Sequence, residues 1–398
     1  MKVGIKRRSF ISPNLIILSS AFFFLFFGSA HQQYLKPYFS EVLGWGPLKG
    51  SIVIATVYIS FMFWRLFICY SIKLLGDFRS IILGAATYSL FVMSLLLTDS
   101  FIGLIFMAVI WGWGAASLWI TSSAQVLDAS YKSRYGATSG LFYMMTHLGF
   151  ATGIFTYGRI LDYYKSVPLT YAHNVRLIIT LIAMVIGNLI LFKLPKQQIE
   201  REVNLRQIFV FMKMPKFTIA GFLQFASALG FGILLGLFSD YIKDEYGSAY
   251  LSITAVFYPL ARASLSFGGG ALSDKLGRGK TLFVSFIIGS IGLFIAGIWT
   301  SLITASLAAF SLGFQGGLVP PISMALIGDD IKPQRRHLAL GAVFFWNNLG
   351  VVIALLLGPS LKLMLKSFQS TFGIFSVIFL ICAIASVILI KYEQKETD

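Results

Sequence analysis

Residues 270–280 read Gly270-Ala271-Leu272-Ser273-Asp274-Lys275-Leu276-Gly277-Arg278-Gly279-Lys280, set between two long apolar runs. A polar cluster this short between two hydrophobic stretches is the signature of a loop at a membrane edge. Gly270 carries no Cβ and lets two helices approach closely. Gly277 supplies the positive φ needed to turn the chain back toward the bilayer. Asp274 and Arg278, four apart, are placed to pair or to exchange partners at the membrane edge.

The chain of 398 residues is 57% hydrophobic and only 12% charged, with a mean hydropathy of +0.80. Soluble domains carry about 25% charged residues, so this composition belongs to a polytopic membrane protein. Twelve apolar stretches reach the length a ~30 Å hydrocarbon core demands: 13–35, 50–71, 80–98, 101–126, 138–161, 175–194, 217–238, 250–271, 281–299, 302–327, 339–361 and 372–391. Cys69 and Cys382 both fall inside apolar runs, which argues against a disulfide framework, and no cysteine–histidine spacing suggests a metal site.

The net charge of +16 would suit a nucleic-acid partner, but its distribution argues for topology instead. With both termini on one side, that side holds 22 of the 32 Lys and Arg, the opposite side seven, and Arg65, Arg159 and Arg262 lie within spans. An excess of this size fits cytoplasmic termini, with attraction to anionic lipid as a by-product. Lys6-Arg7-Arg8-Ser9-Phe10 superficially matches a twin-arginine signal. With no small-residue cleavage site and eleven further spans, it reads as a cytoplasmic anchor.

The polar segment 195–216 divides six spans from six. Sliding one set on the other by 201 positions sets Cys69 on Gly270, Lys73 on Asp274 and Gly76 on Gly277. It also sets Gly112 on Gly313, Asp128 on Asp329, Arg134 on Arg335, Gly140 on Gly341 and Leu148-Gly149 on Leu349-Gly350. Near the opposite side the offset becomes 203, matching Tyr38 to Tyr241 and Gly44 to Gly247.

With its G-x-L-[AS]-D-x-x-G-R loop at 270–278 and its paired six-span halves, the chain resembles the major facilitator superfamily over its whole length. The resemblance implies an all-α fold of twelve transmembrane helices in two six-helix pseudo-repeats: an N-terminal half 1–194, a cytoplasmic linker 195–216 and a C-terminal half 217–398. It further implies alternating access around a cavity lined by spans 1, 4, 7 and 10, with spans 3, 6, 9 and 12 facing lipid. A gate at the cytoplasmic loops would comprise Gly270, Asp274, Gly277 and Arg278, together with Lys73, Asp128, Asp329 and Arg335. The first-half loop departs from the pattern, with Cys69 and Lys73 where Gly and Asp are expected. Two arrangements are open: the second-half copy dominates, or Lys73 pairs with Asp128. The fifth span, Gly149-Phe150-Ala151-Thr152-Gly153, lacks the proline of the proton-antiporter subgroup.

Ionisable groups at membrane depth are costly and mark function by default. No Asp or Glu lies near the middle of any span; the deep groups are Arg262, His147 and Arg65, with His31 higher in the first span. Arg262 follows Pro259, which opens a backbone hydrogen bond one turn earlier. Its guanidinium is either a fork for a substrate carboxylate or phosphate, or a side chain that snorkels to the surface or pairs structurally with another helix. Snorkelling is the favoured reading for Arg65, nearer that surface. His147 either carries a coupling proton or bonds between helices. Further polar or aromatic candidates for a binding site are Gln32, Gln33, Trp113, Trp119, Gln224, Gln315, Asn347 and Asn348.

No P-loop for ATP and no enzyme constellation is present, so no cofactor is expected and transport would draw on a gradient, with protons as the candidate coupling ion. The function read from these residues is secondary active transport of a small organic solute, an organic anion on the evidence of deep positive charge. Efflux of hydrophobic or drug-like compounds, or a transporter-like sensor that moves nothing, are the alternatives. The expected location is the cell (inner) membrane, multi-pass. Single-cysteine labelling with an impermeant reagent from outside should modify position 45 and spare position 205; labelling at 205 would overturn this topology.

Overall fold

The computed structural model describes residues 12–196, 199–246 and 250–395. The readings placed on Lys6-Arg7-Arg8-Ser9-Phe10 and on Gly247 lie outside the described residues. Ser12 caps the first helix by accepting from the Leu15 amide, and Pro13 stands in its first turn, where no backbone donor is required. This helix, α1 (Pro13–Ser29), is continued by a 3-10 turn (Ala30–Tyr34) and a π turn (Tyr38–Val42). Helical bonding runs unbroken over Pro47–Leu97, but Gly76 at φ 74° and ψ 166° divides it into α2 (47–75) and α3 (77–97).

Next come α4 (Phe101–Asp128), α5 (Tyr135–Tyr163) and α6 (Leu169–Leu191). Beyond the linker, α7 (Pro215–Ile233) is prolonged by a π turn (Leu234–Phe238) and by Ser239–Tyr246. The chain ends with α8 (Leu251–Leu276), α9 (Arg278–Ile298), α10 (Leu302–Asp330), α11 (Arg336–Leu365) and α12 (Phe368–Lys395). Among the described residues these twelve long helices occupy the twelve apolar stretches. Gly277 turns the chain between α8 and α9 at φ 95°, the counterpart of Gly76 in the first repeat.

Nine stretches among the described residues are long and apolar enough to cross a membrane, one of them (Ile52–Leu97) holding both α2 and α3. The two long helices outside that set are α5 and α8, and they pack on each other along their length: Gly136 meets Gly270, Gly140 meets Ser266 and Gly158 meets Ser252. Along this seam protein rather than lipid covers them, which accommodates small and polar residues such as Gly140 and Ser266. On α3, α6, α9 and α12 large apolar side chains such as Leu90, Ile182, Ile291 and Ile384 stay exposed, as a lipid-facing surface requires.

The repeat is written into the packing. Gly140 of α5 lies against the Ser266 carbonyl of α8, and Gly341 of α11 lies against the Arg65 carbonyl of α2. Each member of one contact is 201 residues from its counterpart in the other. A Cβ on Gly341 would sit 2.6 Å from that carbonyl oxygen, and one on Gly140 would collide with Ser266. These contacts close the bundle at the face that holds the described chain ends and the linker, called here the terminal face.

The polar segment 195–216 is not featureless. Asn204 accepts from the Gln207 amide and caps a helix over Leu205–Lys213, whose Ile208 and Phe211 are buried beside α11 and α7. Gly140→Ala should lower the melting temperature of the solubilised protein, reflecting an overpacking cost of ~1–3 kcal/mol. Gly268→Ala, where a Cβ would meet open space, should leave it unchanged or raise it. Equal behaviour of the two variants would mean the α5–α8 crossing is not tight.

Candidate functional site

At the terminal face Asp274 reaches across to the other repeat. Its two carboxylate oxygens accept from the Gly136 amide at 3.1 Å and the Ala137 amide at 3.0 Å, so it caps the first turn of α5. An anion at a helix N-terminus meets both unpaired N–H groups and the positive end of the helix dipole. Arg278 donates to Asp274 at 2.6 Å, to Ser273 at 2.9 Å and to Asp329 at 3.1 Å, joining the ends of α8, α9 and α10. Gly270 earns its place here, since a side chain on it would strike the Gly136 carbonyl.

The first repeat builds its corner differently. Lys73 is exposed and does not meet Asp128, so the pairing held open for it is not the one formed. The oxygens of Asp128 are taken by Arg201 and Arg336, each at 2.8 Å. Arg336, one of the most buried charges at 4% exposure, also donates to Tyr135 at 2.5 Å. Tyr135 and Arg336 open α5 and α11 and stand 201 apart, so equivalent positions of the two repeats touch. Arg335, expected in the gate, lies exposed and pairs with Glu202 at 2.6 Å.

Inside the bundle an aromatic-walled cavity of about 140 Å³ lies between the two repeats. Arg262 lines it, with Nε donating to the Gly316 carbonyl of α10 at 3.2 Å and a terminal nitrogen to the Tyr258 hydroxyl at 3.3 Å. The side chain therefore does not snorkel to the surface. Arg65 lines the cavity as well: its guanidinium donates to the Phe344 carbonyl and lies 4.0 Å from the Phe61 ring centre. Snorkelling, the favoured reading of Arg65, is corrected by this geometry. Packing against α11 closes the route to the surface, and carbonyl and ring faces replace water around the charge.

His147 faces the same cavity, buried, with its ring 5.8 Å from that of Tyr143. Trp119 stacks on Tyr143 at 5.6 Å. Gln32 lines the cavity and accepts from the Tyr58 hydroxyl at 2.8 Å, while Asn347 and Asn348 line it from α11. No Asp or Glu is among the described lining residues.

The remaining candidates lie elsewhere. Gln224 is fully buried behind the cavity wall, accepting from Asn347 at 3.1 Å and donating to the Val319 carbonyl at 3.4 Å. Gln315 is buried with Gly230, Gly289 and Phe379 around it, away from the cavity. Trp113 points at Ser71, donating at 3.0 Å, whereas its neighbour Trp111 lines the cavity. Gln33 donates to Ser239 at 3.0 Å, and with the Lys36–Asp240 pair at 3.6 Å it ties α1 to α7 beside a second hollow at the opposite face. Sequence reasoning missed Tyr58 and Tyr143 as cavity residues and favoured the surface for Arg65. Helical phase relative to the neighbouring repeat was the missing information.

A profile of the Major Facilitator Superfamily matches residues 17–224 and 220–398. Quinolone resistance protein NorA of Staphylococcus aureus (strain MRSA252) is 26% identical over 172 residues, 42% of this chain and 43% of NorA. Inner membrane transport protein YajR of Escherichia coli (strain K12) is 30% identical over 160 residues, 39% of this chain and 30% of YajR. The match thus spans less than half the length of either relative. Among solved structures, the E. coli fucose:proton symporter FucP superposes with a TM-score of 0.75 at 14% identity, covering 96% of this chain and 99% of FucP. The human organic anion transporter MFSD10 does so with a TM-score of 0.73 at 14% identity, covering 94% and 100%. At that identity the superpositions speak for the fold, and the profile speaks for descent. With twelve helices, a repeat legible in both sequence and packing, and a match over nearly its whole length, the chain belongs to the Major Facilitator Superfamily, whose members are multi-pass membrane transporters.

Proposed function

We propose that this protein is a secondary active transporter of small organic anions, working by alternating access with both termini in the cytoplasm. The observation that carries the reading is the charge of the cavity. Arg65 and Arg262 enter it from opposite repeats, and no carboxylate is among its described lining residues. A guanidinium removed from water costs several kcal/mol unless partners replace its hydration. Here two carbonyls and two ring faces supply part of that replacement, and an anionic solute would supply the rest. The aromatic walls suit an apolar body attached to the anionic group.

In this reading the halves 1–194 and 217–398 rock about the cavity, and the structure is the form closed at the cytoplasmic side. His147, the titratable group facing the cavity between Tyr143 and Arg262, is the candidate carrier of a coupling proton. The aromatic wall also favours a second reading, efflux of hydrophobic compounds, to which the partial match with a quinolone resistance protein adds support.

Proteoliposomes loaded with purified protein should accumulate aromatic carboxylates in preference to lipophilic cations of similar size, and a pH gradient should change the rate. Arg262→Lys keeps the charge but loses the planar fork, so it should weaken carboxylate transport about tenfold, and Arg262→Ala by more, within the ~1.5–3 kcal/mol of a charged hydrogen bond. Normal transport by both variants, or selection of the cations, would replace the anion reading with hydrophobic efflux. No uptake of either class by folded protein would favour a sensor.

A further inference from the structure

The terminal-face corner of the first repeat contains a guanidinium that its own helices do not supply. At the 201-residue offset Lys73 stands where the second repeat has Asp274, and Asp77 where it has Arg278, so the charge order of the loop is inverted. The carboxylate at the end of the fourth helix of each set is retained, as Asp128 and Asp329. In the second repeat Arg278 donates to Asp329 at 3.1 Å. In the first, the equivalent bond to Asp128 comes from Arg201 at 2.8 Å, a residue of the linker.

Arg201 also forks onto Asp77, with Nε at 3.2 Å from both oxygens and a terminal nitrogen at 2.6 Å. Its side chain is 3% exposed, as is that of Asp77. The other terminal nitrogen donates to the Pro333 carbonyl at 2.7 Å, between α10 and α11. Next to it the Glu202 amide donates to the Gln334 carbonyl at 3.1 Å, and the Glu202 carboxylate accepts from Arg335. One buried guanidinium therefore binds two carboxylates of the first repeat and a carbonyl of the second.

We propose that Arg201 is a gating residue, which makes the linker a moving part of the terminal-face closure: it supplies the cation that the inverted loop lost, and its bonds across to Pro333 and Gln334 must break for that face to open. Arg201 touches no solute in the cavity; it acts by biasing the equilibrium between closed and open forms. Its stronger hold is on Asp77 and Asp128, so the linker stays with α2–α4 and releases the α10–α11 turn. This inference rests on the alternating-access reading, though not on the anion.

The test places a reporter, Ser123→Cys, in the cavity wall of a Cys69→Ser, Cys382→Ser background, in proteoliposomes of known orientation and without solute. Arg201→Gln should raise the rate of maleimide labelling from the terminal face on the order of tenfold, as a loss of conformational coupling of usual size predicts. Arg201→Lys, which keeps the charge and not the fork, should fall between. Adding Lys73→Asp and Asp77→Arg to Arg201→Gln rebuilds the loop of the second repeat and should return the labelling rate to within about threefold of the starting value, a rescue that a merely structural linker contact would not allow. Unchanged labelling in Arg201→Gln and Arg201→Lys overturns the proposal. So does raised labelling in Arg201→Gln that the loop exchange leaves untouched. Labelling is read without solute, so a failure here is distinct from a failure of the anion reading. If Arg201→Gln does not fold, Arg201→Lys with and without the exchange decides on the same criteria.

Discussion

The closeness of the two repeats at the terminal face is the constraint on which the rest of this structure depends. Gly140 against the Ser266 carbonyl and Gly341 against the Arg65 carbonyl let α5 meet α8 and α11 meet α2 at backbone distance. Only at that distance does the Asp274 carboxylate reach the amides at the start of α5. The same approach brings Arg336 to Asp128 and Tyr135. A side chain at either glycine would separate the helices and draw the ionic layer apart. Packing of small residues thus comes first, and the electrostatics are assembled on it.

The ionic layer itself is balanced locally. Two carboxylates, Asp77 and Asp128, face two guanidinium groups, Arg201 and Arg336, in the first corner; Asp274 and Asp329 face Arg278 and a helix N-terminus in the second. Burying charges this deeply is tolerable because every one has a partner, and losing one partner leaves the other uncompensated. Such a layer is stable when complete and sensitive to the removal of any member. The cavity beyond it is the opposite case. Its two arginines are solvated by carbonyls and ring faces and lack an acid among the described lining residues.

Distortion is concentrated away from that layer. The continuations of α1 and α7 toward the opposite face each contain a π turn, at Tyr38–Val42 and Leu234–Phe238, and these two segments are the ones joined by Gln33–Ser239 and Lys36–Asp240. A π turn loosens the regular hydrogen-bond ladder of a helix and recurs at functional positions. Among the described residues, a part-buried hydrogen bond, a half-exposed ion pair and the approach of Gly158 to Ser252 join the repeats toward this side, against a buried ionic layer on the other. The ionic contacts among the described residues are more numerous and more deeply buried at the terminal face.

Membrane-spanning order, the repeat and the two turning glycines were legible in the chain because each depends on local properties: run length, charge between runs, and a positive φ at Gly76 and Gly277. Pairing of Asp274 with Arg278 was legible too, the two being only four residues apart across the turn at Gly277. The structure alone decided that Gln315 and Trp113 face away from the cavity, that Arg65 turns into it, and that Lys73 yields its place to Arg201. Periodicity tells that a helix has a polar side but not which neighbour that side meets. Arg201 lies 124 residues from Asp77 in sequence, in a segment whose composition says only that it is polar. Its role arises from where the linker is laid across the two repeats, a matter of packing between distant parts of the chain.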